Sequence, residues 1–352
     1  MKKFIVALGI FLMAVYYFIS PQRVPREGFF VAAKEIGTSD DSMVTKVAGP
    51  FVPIKISDKL VYLGHEFVLS NLVSTNERLS FSNVYYAVYN GESQGFTVFS
   101  ATGEEIVTIQ SEGVPMIFGD RIFSVDHVAG LIKNYSTSGE VLWSYSVGSY
   151  VTSLHANEEL TVFGGLNGYV TLLNAQGEMV YEYRPSGSAS EIIYGTAVSP
   201  DSQYFAIISG LDPQRFLLFR KGSRTYTPVY HRDLKQQFVQ PVRIKFSDKS
   251  NLVLYEEPGF LNGYHIGKQQ AFSLPIDGKL KDFNTDIFKR NFGFLVEKSD
   301  RYTLRVLNHE HLFPLMELDL HAQDVIMNVL PASMVLGINE TLLELEYKGQ
   351  MK

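Results

Sequence analysis

GLIKNYSTSGEVLWSY (residues 130–145) and GYVTLLNAQGEMVYEY (residues 168–183) are two copies of one pattern, 38 residues apart. Each opens on glycine and runs through an alternating apolar stretch. Each then turns over four residues ending in glycine and resumes as a second apolar stretch after glutamate. Alternation of period two, broken by a short turn with glycine, reads as a β-hairpin whose glycine takes the left-handed backbone position. Gly130 aligns with Gly168, Gly139 with Gly177, Glu140 with Glu178, Trp143 with Tyr181 and Tyr145 with Tyr183, all at one offset. Gly139 and Gly177 are therefore expected at φ > 0 in equivalent hairpins.

The pattern extends in both directions. Upstream by 36 residues, strand 96–99 precedes Gly103, Glu104, Glu105 and Ile106. Downstream, weaker copies place turns near 222, 267, 309 and 349. With those near 103, 139 and 177 this makes seven copies, spaced by roughly 36–45 residues, the range of four-stranded propeller blades. The expected fold is all-β: a seven-bladed β-propeller of four-stranded antiparallel blades over residues 51–352. The last copy stops after its third strand, which would leave an open edge. An N-terminal strand from 51–63 is expected to close the ring by pairing with 342–347.

A second pattern recurs one blade apart. AVSPDSQYFA (197–206) and KFSDKSNLVL (245–254) each join two apolar strands through a Ser- and Asp-containing turn, where Asp can accept bonds from backbone N–H groups. These stretches resemble the turn between the first and second strands of WD40-like blades, including the Tol-system type. Residues 130–145 resemble a blade of the pyrroloquinoline-quinone-type propellers. The resemblance spans about residues 60–350 and is sharpest between 95 and 255. It implies a bacterial envelope propeller whose partners are assembly or secretion proteins. Such propellers usually carry a lipid-anchoring cysteine, which this chain lacks. Quinone-dependent relatives use adjacent cysteines and a stacking tryptophan; here there is no Cys, and the single Trp143 falls on an outer strand.

Before the repeats, Lys2 and Lys3 precede an uncharged apolar run at residues 4–19. As a helix it would span ~24 Å at ~1.5 Å per residue, a short membrane crossing. Small residues do not follow it closely, and the passable cleavage site, Val31-Ala32-Ala33, lies well beyond. The expected organisation is a signal-anchor helix at 1–22, a tether at 23–50 and the propeller at 51–352. The positive-inside rule puts the propeller outside the cytoplasm. The implied location is a single-pass bacterial inner-membrane protein with its propeller in the periplasm, the alternative being secretion after cleavage.

The 352 residues carry 37 acidic and 31 basic side chains and no cysteine. Zero cysteine excludes disulfides, thiol catalysis and Cys-ligated metals. The net charge of −6 argues against nucleic acid as a partner. Among eight histidines only His309 and His311 lie close together, in a turn beside Glu310 that reads as solvated. The paired carboxylates Asp40-Asp41 and Glu256-Glu257 also read as solvated loop charge. Tyr145, Tyr181, Tyr183 and Trp143 read as packing between blades. Asn339-Glu340-Thr341 fits a glycosylation acceptor. No catalytic, cofactor-binding or metal-ligating residue is assigned, and no cofactor is expected. The resulting reading is a non-enzymatic, membrane-tethered scaffold that binds an envelope protein. The alternative is a ligand-sensing or carbohydrate-active propeller with its site at the mouth of the central channel.

Overall fold

A computed structural model describes residues 29–38, 44–45, 47, 49–91, 94–288, 290–331 and 333–348. Their strands form eight sheets, seven of four strands and one of three. Blade 1 comprises Val52–Ile56, Lys59–Gly64 and Val68–Ser74. Blades 2 to 7 begin at Arg78, Val114, Val151, Ser190, Ile244 and Lys279, and each contributes four consecutive antiparallel strands. Blade 8 takes Val325–Val329, Ser333–Ile338 and Thr341–Lys348 from the end of the chain. Its fourth strand is Phe29–Gly37, paired antiparallel with Thr341–Lys348.

The core is not a single mass but a ring of apolar seams, one at each blade junction. Phe123, Trp143, Leu154 and Phe163 fill the seam between blades 3 and 4. Phe205, Phe219, Leu172 and Tyr226 fill the next. At the closing junction Ile54, Val61, Leu63 and Leu69 of blade 1 meet Val335 and Leu342 of blade 8. Each buried Leu, Ile or Phe contributes about 1.5–3 kcal/mol. With a seam at every junction, no blade is left with an apolar face in water.

The count of seven is corrected to eight. The recurring glycine turn marks the step from a third to a fourth strand, and blade 1 has no fourth strand to turn into. It carries no marker, so the markers number the other seven blades. The closing strand is corrected as well. Residues 51–63 pair with one another and with Val68–Ser74, forming blade 1. Closure falls to Phe29–Gly37, inside the stretch expected to be a tether. That strand is fixed at its end by Thr38, whose N–H and hydroxyl both donate to the Glu340 carbonyl at 2.9 and 2.7 Å. Lys34 Nζ also reaches the Glu66 carbonyl at 2.7 Å.

The N-terminal hydrophobic helix, and the single-pass membrane protein built on it, are withdrawn. Among the described residues no helix is long and apolar enough to cross a membrane. The only helical element there is a three-residue turn, His65–Phe67, and the run at 4–19 lies outside the described residues. The membrane as a partner through 4–19 and the inner-membrane location go with it. The alternative cleavage site fares no better. Val31 and Ala32 are paired with Glu346 and Leu345, so cleavage after Ala33 would remove half of the strand that closes the ring.

Blade 1 runs in the opposite sense to its neighbours. Asn328, near the end of the inner strand of blade 8, donates to the carbonyl of Pro53 at 2.7 Å, near the start of Val52–Ile56. Lys59, at the start of the following strand, pairs with Glu340 between the second and third strands of blade 8.

Candidate functional site

Turn chemistry builds one face of the ring. In blade 5 the Ser199 hydroxyl accepts the Tyr204 N–H at 2.9 Å and donates to Asp201 at 2.6 Å. In blade 6 Ser247 repeats this, accepting the Leu252 N–H at 3.0 Å. These are the two Ser-containing turns read from the sequence. They are also stitched between blades. Asn157 Nδ2 donates to the Ser199 carbonyl at 2.9 Å, and the Asp248 N–H donates to Asp286 Oδ2 at 2.9 Å.

Within this face the inner strands surround a cavity of about 670 Å3 at the channel mouth. Its apolar wall includes Val52, Val198, Phe246, Phe288 and Leu330, with Pro50, Pro200 and Pro331 at the turns. Its polar groups include His155, Lys245, Asp248, Thr285 and Asp286. Burial pushes both the Asp248 and Asp286 carboxyls up, and Asp286 adds its charge to the shift at Asp248. Asp286 also accepts the Thr285 hydroxyl at 2.8 Å. Lys245 is committed to the wall, 3.0 Å from Asp282 Oδ1 and donating to the Phe283 carbonyl at 2.7 Å. His155 packs against Phe118 with the rings tilted, 5.3 Å between centroids. Its Nδ1 accepts the Val198 N–H at 3.3 Å, and burial pushes its pKa down to about 4. The mouth therefore offers an apolar lining, a neutral imidazole and two carboxyls held close together. Such a set accepts hydrogen bonds from amide or cationic donors while covering apolar side chains.

Charge is unevenly placed round the inner strands. Arg243, just before the inner strand of blade 6, donates to Glu256 at 2.7 Å and to the carbonyls of Lys281 and Leu280 in blade 7. Lys281 in turn lies 3.6 Å from both Glu297 and Asp324. The inner strands of blades 3, 4 and 5 carry only one carboxylate, Glu191. A smaller cavity of about 360 Å3 lies between blades 2 and 3, lined by Gln94, Glu112, Asp126 and Lys133 among others.

Several residues singled out in the sequence sit elsewhere than expected. Glu256 and Glu257 end a strand and are buried. Glu257 accepts the N–H groups of Lys235 and Gln236 and the Asn262 amide. They are structural carboxylates, and the apolar run LVLY directly before them was the signal of a buried strand. His309 is buried, its Nε2 2.7 Å from the Thr285 carbonyl, while His311 is exposed beside Glu310. The two rings therefore do not share a site. Among the described residues no group of three or more His, Asp or Glu is placed to hold a metal. Asp40 and Asp41 lie outside the described residues. Trp143 packs between blades, edge-on to Phe123, with Nε1 donating to the Ala175 carbonyl at 3.1 Å. Tyr145 and Tyr181 pack on Phe163 and Phe205 of the following blades. Asn339 lies in a turn at φ +54°, its Oδ1 accepting the Gln323 N–H. Sequence reasoning missed Asp248, Asp286 and Arg243, whose meeting depends on the packing of neighbouring blades.

The family model of beta-propeller protein matches residues 1–351. The chain belongs to this beta-propeller family. Among curated proteins it is similar to an uncharacterized protein of Treponema pallidum (strain Nichols), 22% identical over 265 residues, covering 72% of this chain and 70% of the relative. Among solved structures it is similar to BamB from Moraxella catarrhalis, with a TM-score of 0.59 and 12% identity over 92% of this chain and 99% of that one. It is also similar to the computationally designed Ika8 protein, with a TM-score of 0.60 and 16% identity over 87% of this chain and 99% of that one. At these identities the likeness is one of fold.

Proposed function

We propose that the protein is a non-enzymatic binding propeller of the cell envelope that holds a protein partner at the mouth of its central channel. One observation carries this reading: the inner strands leave a cavity of about 670 Å3 whose lining mixes apolar side chains and prolines with the Asp248–Asp286 pair. An extended segment carrying an apolar side chain beside a lysine or arginine would fill it. The apolar wall would exclude water, and the carboxyls would meet the charge. The envelope setting draws support from the likeness in fold to BamB and from the sequence resemblance to envelope propellers.

The cavity's size favours a second reading. It lies within the ~300–1,000 Å3 typical of small-ligand pockets, so a small sensed ligand fits it too. One experiment separates the two. A photo-crosslinking side chain in place of Pro200 or Pro331, in cells producing the full chain, should give a discrete protein adduct that Phe246→Asp abolishes. If no protein adduct forms and an oligosaccharide raises the melting temperature of the purified protein, the small-ligand reading replaces the first.

A further inference from the structure

The fourth strands of blades 2, 3, 4, 5 and 7 carry a β-bulge near their start, and two of them differ from the rest in what they leave exposed. In blade 3 Tyr135 pairs with Val141 and Asn134 with Trp143, which leaves Leu142 unpaired. In blade 4 Leu173 pairs with Met179 and Leu172 with Tyr181, leaving Val180. The equivalent bulged residues are Ile106 in blade 2, Val229 in blade 5 and Leu315 in blade 7. In those three blades the preceding position is Glu105, Pro228 or Pro314, residues that guard a sheet edge against pairing. In blades 3 and 4 it is Val141 and Met179. Two consecutive large apolar side chains therefore face solvent in each of these neighbouring blades: Val141 at 51%, Leu142 at 60%, Met179 at 55% and Val180 at 46% exposed.

The strand that carries Val141 and Leu142 touches blade 4 across the junction. Tyr145 Oη lies 3.8 Å from Met179 Sδ, and Trp143 bridges to the Ala175 carbonyl. Charge singles out the same region. Residues 134–183 hold five glutamates and neither lysine nor arginine. The rest of the chain, with 31 basic and 32 acidic side chains, is almost balanced. Two of the five, Glu140 and Glu178, directly precede the apolar pairs; Glu158 and Glu159 line a groove with Val180, into which blade 5 brings Lys221 and Arg224.

We infer that the outer rim of blades 3 and 4 is a second docking surface, separate from the channel mouth. Its occupant is a partner protein presenting lysine or arginine beside apolar side chains. Contiguous exposed apolar area marks a protein contact. The excess of carboxylates, five glutamates against Lys221 and Arg224 beside Val180, sets the partner's sign, because like charges set face to face oppose association. That also excludes a second copy of this chain, whose rim would bring the same carboxylates.

The test uses the purified full chain and three synthetic twelve-residue peptides, alternating Lys and Leu, Glu and Leu, or Lys and Ser. The Lys–Leu peptide should bind at least tenfold more tightly than the other two and weaken as salt is raised. The variant Val141→Ser, Leu142→Ser, Met179→Ser, Val180→Ser should lose at least tenfold in affinity, with its melting temperature unchanged because all four side chains are exposed. Val229→Ser on blade 5 should bind as the parent does. Equal binding of the Glu–Leu peptide, or full binding by the fourfold serine variant, would overturn the inference. So would a dimer in sedimentation that the serine changes abolish. If binding disappears instead with Phe246→Ser, the rim proposal falls and the channel-mouth reading stands.

Discussion

Blades 3 and 4 and the seam between blades 8 and 1 reach the same end by different means. In blades 3 and 4 every strand pairs with a neighbour close in sequence, and the turns place Gly and Glu at the same two positions. Where the ring closes, the partners are about 300 residues apart, as when Phe30 pairs with Tyr347 within blade 8. Blade 1 reverses its direction and has three strands among the described residues. The apolar filling is nevertheless of one kind: Phe123 and Phe163 in the regular junction, Leu63 and Val335 at the seam. Local regularity makes a blade recognisable, while closure needs only an apolar face and one free strand of the right length.

The largest effect that would break this comparison comes from the closing strand. Removing residues 1–37 strips blade 8 of its fourth strand and exposes the edge Thr341–Lys348. The expected outcome is loss of soluble, cooperatively unfolding protein, read by gel filtration and thermal melting. A soluble monomer with an unchanged melting temperature would mean that the seam contributes little. Next in size are core truncations in the two regions. Phe123→Ala should cost about 3–5 kcal/mol and Leu63→Ala about 2–5 kcal/mol in denaturant titration. Comparable losses, each in a single transition, are expected if the ring unfolds as one unit; a separate early transition for Leu63→Ala would mark the seam as a weaker module.

The regular region also has an acid sensitivity of its own. His155 is held with a pKa of about 4, below its ordinary 6.5. The unfolded chain therefore binds the extra proton first, and stability falls as pH drops from about 6.5 to about 4. The contribution should be about 1–3 kcal/mol, and His155→Gln should flatten the pH dependence of the melting temperature over that window. The smallest effect sharpens the comparison within the repeats. Gly139 and Gly177 sit at φ +85° and +81° in matching turns. Alanine at either should cost about 1–2 kcal/mol in backbone strain. At Gly177 the added carbon would also lie 2.5 Å from Trp143 Cγ, whereas at Gly139 the nearest atom, Val107 Cγ2, is at 3.0 Å. Gly177→Ala should therefore be the worse of the two by calorimetry.

What could be read in the chain follows from the same contrast. The glycine turns at 139 and 177, the serine turns at 199 and 247, and the inter-blade packing of Trp143 are set by neighbours within a few residues or one repeat. They are as expected. The blade count went astray because it rested on a turn that blade 1 lacks. The closing strand was sought at 51–63 because its apolar alternation is strong there. Phe29–Gly37 is weaker, with Ala32, Ala33, Lys34 and Glu35 in its middle, as suits an outermost strand open to water on one side. The channel mouth was not legible. Asp248, on the turn after the inner strand of blade 6, and Asp286, near the end of the inner strand of blade 7, stand 38 residues apart, and only packing brings them together.

Closure by Phe29–Gly37 also sets a schedule. The strand is made some 300 residues before its partner Thr341–Lys348. At about 5–20 residues per second that is a delay of about 15–60 s. Through that interval the strand must remain uncommitted, and every intermediate blade stands in an open arc. Lys34 and Glu35 would discourage premature pairing of this strand with a passing edge. The ring can only be sealed once Thr341–Lys348 has been made, so any factor that binds the nascent arc has a window that ends with blade 8.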